Sequence, residues 1–264
     1  MLVDDPPHIL DDLLGLEVAG VGETWRARPD MEPVRTRANR ASIIARSRAA
    51  EDTLSTSGAC QYVLLGAGLD TFAQRHKGPV RVFEIDAPAT QAWKRDRLVQ
   101  LGLLDPARLR LVPVDFEAGE SWLAKAVEAG LDPTEPTVVS MLGVTMYLTA
   151  EAISTTLRQT ASLAAGSIMV FSYSRPIEMA PSEVRSILEG ATKGAAASGH
   201  PWLSLLTPDQ AADLAREAGF ADVNVMTSTD LHERYFAHRH DGLSPIGGED
   251  LVIATAGRDR VGPE

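Results

Sequence analysis

The chain has 264 residues, 44% of them hydrophobic, enough for one large domain or one domain with a cap around a substantial core. Its formal charge of −11 excludes a surface that displaces counterions from nucleic acid or docks on an anionic membrane, although a local basic cluster would still suit an anionic small molecule. The single cysteine, Cys60, excludes an internal disulfide framework and a thiolate-rich zinc site. The acidic start MLVDDPPHILDD lacks the basic-then-apolar build of a secretory signal, and the longest nearly apolar run, Val138 to Leu148, is too short to span a bilayer. The expectation is a soluble, cytoplasmic protein with neither a membrane nor a nucleic acid as partner.

Residues 1–30 are broken by Pro6, Pro7, Gly15, Gly20, Gly22 and Pro29 into short helical pieces such as Ile9 to Leu16. From about Met31 to Thr53 the pattern predicts a helix carrying Arg35, Arg37, Arg40, Arg46 and Arg48, which in an acidic chain reads first as a solvated face. From residue 61 an alternation begins. Apolar strands are expected at 61–66, 80–86, 109–115, 137–142 and 167–173, with helices at 88–101, 118–129 and 150–164 between them. Such alternation implies βαβ units, right-handed crossovers and a mainly parallel sheet. A helix over 181–199 frays into Gly194-Ala195-Ala196-Ala197-Ser198-Gly199, and the 190–202 stretch is expected to be a mobile loop. Thr207-Pro208-Asp209 starts a further helix that stops at Gly219. Late strands at 221–227 and 250–256 complete an antiparallel C-terminal edge. The expected fold is α/β: a Rossmann-like, doubly wound, mainly parallel seven-stranded sheet with a helical N-terminal cap. Residues 1–57 would form that cap, and 58–264 the main domain with a lid insertion at about 176–206.

The stretch around which this pattern turns is QYVLLGAGLDT, residues 61–71. A buried strand stops at Gly66-Ala67-Gly68, and Asp86 closes the next strand 20 residues after Gly66. A glycine turn lets the backbone bend and lets a ligand approach closely, and an acid at that distance is where a nucleoside ribose is held. The third glycine of a dinucleotide fingerprint would fall at position 71, which is Thr71, so a nicotinamide or flavin cofactor is disfavoured. The acid at Asp70 suits a cofactor with a cationic end and no phosphate. At the third strand's end, Asp115 and Phe116 could accept from an adenine amine and pack on its ring. Gly66, Asp86, Asp115 and the 142–147 loop all fall at the carboxyl ends of strands, where α/β sheets bind ligands. His232, His238 and His240 have no cysteine or helix-spaced carboxylates beside them and read as solvated, so no metal is expected. No G-x-S-x-G elbow is present.

These stretches resemble the leucine carboxyl methyltransferase family of class I S-adenosylmethionine-dependent enzymes. The similarity is carried by ARSRAAED (45–52), QYVLLGAGLDT (61–71), VRVFEIDAP (80–88), PVDFEAG (113–119), LGVTMYLT (142–149) and GHPWLSLLTPDQAADLAREAGF (199–220). It implies S-adenosylmethionine as cofactor and S-adenosylhomocysteine as product. Arg46 would bind the methionine carboxylate, as suits a bidentate guanidinium; Gly66 would approach the cofactor, Asp86 take the ribose hydroxyls, and Asp115 with Phe116 flank the adenine. Ala67, Gly68, Ala87, Met141 and Leu142 complete the implied cofactor set. Leu142 stands where members that methylate a protein phosphatase carry glutamate, so its contact would fall to the backbone. The segment DDPPHILDDLLG resembles the one after the family's N-terminal helix, which implies that the chain starts beyond that helix. Both departures point away from phosphatase methylation and toward bacterial members acting on small natural products.

The implied reaction is methyl transfer to a carboxyl or hydroxyl oxygen of a small molecule, with the protein supplying alignment and dryness. Tyr147 and His200 are the candidate catalytic residues, unless proximity alone suffices. Tyr147, Tyr173, Arg175 and Trp202 are the candidate acceptor contacts, and the 190–202 loop and the N-terminal segment the candidate lids. The alternatives are a cofactor-binding partner protein without turnover and, more weakly, a nicotinamide oxidoreductase. Oligomeric state is left open.

Overall fold

In the computed structural model, residues 4–28, 32–116, 118–180, 182–245 and 247–257 are described. Every residue of β1 (Gln61–Leu65) and β4 (Thr137–Met141) is buried, as in strands covered on both faces. The other strands are β2 (Arg81–Asp86), β3 (Leu109–Pro113), β5 (Ile168–Ser174), β6 (Phe220–Met226) and β7 (Glu249–Ala256). They form one seven-stranded sheet in the order β3-β2-β1-β4-β5-β7-β6. Strands β1 to β5 pair in parallel, and β7 inserts between β5 and β6, antiparallel to both. The Rossmann-like expectation, with its reversed strand at the C-terminal side, is borne out.

Helices α1 (Leu14–Ala19), α2 (Pro33–Ser57), α3 (Phe72–Arg75), α4 (Pro88–Gln100), α5 (Trp122–Glu128), α6 (Ala150–Ala161), α7 (Ser182–Ala197), α8 (Pro208–Ala218) and α9 (Ser228–Tyr235) surround it. One sheet face buries Phe83, Ile85 and Phe171 against Trp122, Ile153 and Leu157. The other buries Tyr62, Leu64 and Val138 against α2 and α4. Ala41, Ala45 and Ala49, four residues apart, form the small stripe on which α2 meets the second face.

Several boundaries differ from expectation for local reasons. Helix α5 begins at Trp122 rather than 118, because Ser121 is the cap: its hydroxyl accepts the Ala124 N–H at 3.2 Å. Helix α7 runs to Ala197 through Gly190 and Gly194, so most of the expected 190–202 loop is helical. Helix α9 was not expected, although Thr227 and Asp230 cap it reciprocally. Helix α8 starts and stops where Thr207 and Gly219 predict. Met31, where the long helix was expected to begin, lies outside the described residues, as does the Arg35 side chain. No helix among the described residues is long and apolar enough to cross a membrane.

Candidate functional site

The winding of the sheet reverses between β1 and β4, and ligands of open α/β sheets sit beyond the carboxyl ends of the strands at such a point. Gly66 leaves β1 there with φ +69° and donates its N–H to the Ile85 carbonyl at 2.8 Å. A Cβ on Gly66 would lie 2.4 Å from Val144 Cγ2. The close approach expected of a ligand at this α-carbon is therefore made by Val144. One turn further, a Cβ on Gly68 would meet nothing within 4 Å. Asp86 braces this loop: its Oδ2 accepts the Gly68 N–H at 2.6 Å and its Oδ1 accepts the Ala87 N–H at 2.7 Å. The Asp70 carboxylate is engaged locally, accepting the Phe72 N–H at 2.7 Å at the start of α3.

Beneath the loop lies a buried charge pair. Lys94 Nζ sits 2.5 Å from Glu84 Oε2, with 1% and 0% of the side chains exposed, and donates to the Asp70 carbonyl at 2.7 Å. Burial pushes the Glu84 carboxyl from 4.5 up to about 7, against the pull of the lysine. Lys94 thus ties β2 and α4 to the glycine loop.

Asp115 is exposed just beyond β3, and its Oδ1 accepts the Ala118 N–H at 3.0 Å. Half-buried Phe116 packs on the first sheet face. The Met141 side chain is in the core at 1% exposure, so its expected place in the cofactor set falls to its main chain. Ala67 is buried, Ala87 exposed and Leu142 half-buried.

Arg46 completes this edge from α2. Asn39, Ser42, Ile43 and Arg46 follow the helical repeat beside the alanine stripe and line a cavity of about 340 Å³. The Arg46 side chain is 19% exposed, and its Nη1 donates to Glu249 Oε1 at 2.5 Å. Its Nη2 sits 2.5 Å from where a Cβ on Gly143 would stand, so glycine after β4 is what admits it. Gly143 is itself held by its N–H to the Ser172 hydroxyl at 2.7 Å. Glu249, which sequence reasoning missed, enters because β7 pairs with β5 so that Glu249 stands opposite Ser174. No local motif signals that register.

The remaining cavity walls come from Met146 and Tyr147, from Ile187, Leu188 and Ala191 of α7, and from Trp202. Tyr147 stands at the mouth, 43% exposed. The two other expected acceptor contacts do not line the cavity. Tyr173 is fully buried, its hydroxyl 3.4 Å from Asp250 Oδ2, and Arg175 Nε lies 3.3 Å from the same oxygen. Burial raises the Asp250 carboxyl, although the Ser228 N–H donates to it at 2.8 Å. His200 corrects the expected base: it is exposed beyond α7, with Nδ1 3.1 Å from the Ser198 carbonyl and no place on the cavity wall. His232 pairs with the Ser244 hydroxyl at 2.8 Å, while His238 and His240 are exposed. The described N-terminal residues also stay off the cavity. Asp4 is ion-paired to Arg40 at 2.5 Å, and Arg239 donates to the carbonyls of Asp5 and Pro7, both at 2.7 Å.

The leucine carboxyl methyltransferase family model matches residues 4–161. A Bacillus subtilis protein named, provisionally, as the S-adenosyl-L-methionine-dependent methyltransferase YktD is 35% identical over 71% of this chain and 62% of its own length. A Streptomyces avermitilis protein, provisionally named in the same class, is 31% identical over 90% of this chain and 83% of its own. Among the curated relatives first matched, the chain spans 62%, 33% and 46% of their lengths. The fold is shared with a crystal structure from Thermobifida fusca, described provisionally as a methyltransferase, at TM-score 0.64 and 17% identity, covering 97% of this chain and 99% of that one. By sequence, the chain belongs to the leucine carboxyl methyltransferase family.

Proposed function

We propose that this chain is an S-adenosylmethionine-dependent O-methyltransferase acting on a carboxyl or hydroxyl group of a small natural product. The observation that carries the reading is Arg46, set against Gly143 at the reversal point of the sheet and facing an open cavity. The residues present fit the cofactor. Asp86, already holding the glycine loop through the Gly68 N–H and accepting the Ala87 N–H beside it, retains lone pairs for ribose hydroxyls. The space above Gly68 admits a ligand, Asp115 and Phe116 would flank the adenine, and the main chain near Leu142 would supply the contact that its side chain does not.

Bound there, the sulfonium supplies an electrophilic methyl group. The chain's own residues do the rest. Arg46 fixes the amino-acid end, while Met146, Tyr147 and Trp202 wall the acceptor from water. No histidine stands among the lining residues. A carboxylate needs none, because it is ionised at neutral pH, whereas a phenol with pKa about 10 requires a base. The one carboxylate in the lining, Glu249, is paired with Arg46, and this pairing favours a carboxyl acceptor, which needs no base. Within this reading, residues 1–57 act as a cap and 176–206, which contain α7, as the insertion over the acceptor.

Calorimetry with S-adenosylhomocysteine tests the cofactor. Asp86→Ala and Arg46→Ala should each lose about 1–3 kcal/mol of binding, the worth of a charged hydrogen bond. Turnover of labelled S-adenosylmethionine against acidic and phenolic metabolites tests the acceptor. Wild-type affinity in both variants, or binding of NAD instead, would overturn the proposal.

A further inference from the structure

We infer that Glu249 and Arg46 together form a clamp for an α-amino-acid zwitterion, with Glu249 as the residue that reads the ammonium. The inference rests on the cofactor reading above and adds a residue to it. Arg46 Nη1 to Glu249 Oε1 is the only hydrogen bond that either side chain makes among the described residues. A guanidinium has five donors, so one contact leaves most of that fork unused. A carboxylate likewise keeps its second oxygen, and both side chains line the cavity. The pair is partly buried, at 19% and 16% exposure, so its charges are less screened than at an open surface.

This arrangement presents a cationic and an anionic site side by side. A simple carboxylate that takes the remaining donors of Arg46 meets Glu249 as a like charge. A ligand with an ammonium one carbon from its carboxylate meets both partners with the right sign, and four alternating charges close on one another. The pair therefore selects the methionine end of the cofactor, rather than any acid of similar size. No covalent step is involved.

The test is binding, measured by calorimetry on wild type and Glu249→Gln. Four ligands are compared: S-adenosylhomocysteine, its analogue lacking the amino group, its analogue lacking the carboxyl group, and 5′-methylthioadenosine, which lacks both. Wild type should prefer S-adenosylhomocysteine to each of the three. Glu249→Gln should weaken S-adenosylhomocysteine roughly ten- to a hundredfold, the equivalent of one lost charge-assisted contact. The same variant should bind the desamino analogue as well as or better than wild type, and 5′-methylthioadenosine unchanged. Equal or tighter binding of S-adenosylhomocysteine by the variant would overturn the inference, making Glu249 a plug that the cofactor carboxylate displaces. Parallel loss of 5′-methylthioadenosine would also overturn it, making the residue structural. Failure of wild type to bind both adenosyl compounds would instead remove the cofactor reading and this inference with it.

Discussion

At Gly66 two independent demands meet. The backbone is left-handed at φ +69°, and Val144 Cγ2 occupies the place where a Cβ would go. A side chain in that conformation costs about 1–2 kcal/mol before any clash is counted. Gly66→Ala should therefore destabilise the protein by more than that, and Val144→Ala should return the clash but not the conformational cost. Denaturant unfolding of the two single variants and the double variant measures this as a coupling energy. Additive losses would show that Val144 can simply move aside. The glycine itself was legible in QYVLLGAGLDT, but its neighbour was not, because Val144 arrives from the turn after β4, far along the chain. Asp86 was legible too, since spacing alone puts it 20 residues on. Tyr173 misled for the opposite reason: a strand alternates its faces, and position 173 falls on the core side with Phe171.

Elements show the same division between local and long-range signals. Strands β1 and β4 announce themselves as continuous apolar runs, and α8 by its cap and stop. The inserted β7, and with it Glu249, depends on pairing decided across the sheet, which no local pattern encodes. The Glu84–Lys94 pair is the element-scale device that holds β2, α4 and the glycine loop in register. Removing one partner leaves the other buried without its counter-charge, which costs about 3–5 kcal/mol, whereas replacing both with apolar or neutral groups of similar volume is often close to neutral. Above about pH 7, where the folded protein holds Glu84 ionised, Glu84→Gln or Lys94→Met alone should thus be far more damaging than the two together. The pH dependence follows from the raised carboxyl. Between 4.5 and about 7 the folded protein retains a proton that the unfolded chain has released, so this contribution is full below that window and declines as pH rises through it. Unfolding free energies measured across the window should fall in wild type more steeply than in the double variant. Equal slopes would mean that Glu84 is ionised in the folded protein throughout.

On the scale of the whole molecule, the two halves of the proposed reaction draw on different parts of the chain. The glycine loop, Asp86 and Asp115 sit on strand ends that the sheet fixes from both faces. The cavity wall opposite Arg46 is built by α7 and Trp202, which come from the segment between β5 and α8. Leu203 is tied to this wall by its N–H to the Met146 carbonyl at 2.6 Å, and Ser204 by its hydroxyl to the Leu148 carbonyl at 2.6 Å. Segments of this kind can change acceptor preference without disturbing the sheet. Ala191 lies on the cavity face of α7, and a tryptophan there would fill space that an acceptor needs, in a cavity whose lining includes none of Gly68, Asp86, Asp115 and Phe116. Ala191→Trp should leave the S-adenosylhomocysteine dissociation constant within about twofold of wild type, a difference under 0.5 kcal/mol. It should also lower kcat/KM for the acceptor by at least about tenfold, through loss of aligned binding. If cofactor affinity falls in step with turnover, the part of the cavity beside α7 belongs to the cofactor with the part beside Arg46 and Glu249, and the division between sheet and insertion does not hold.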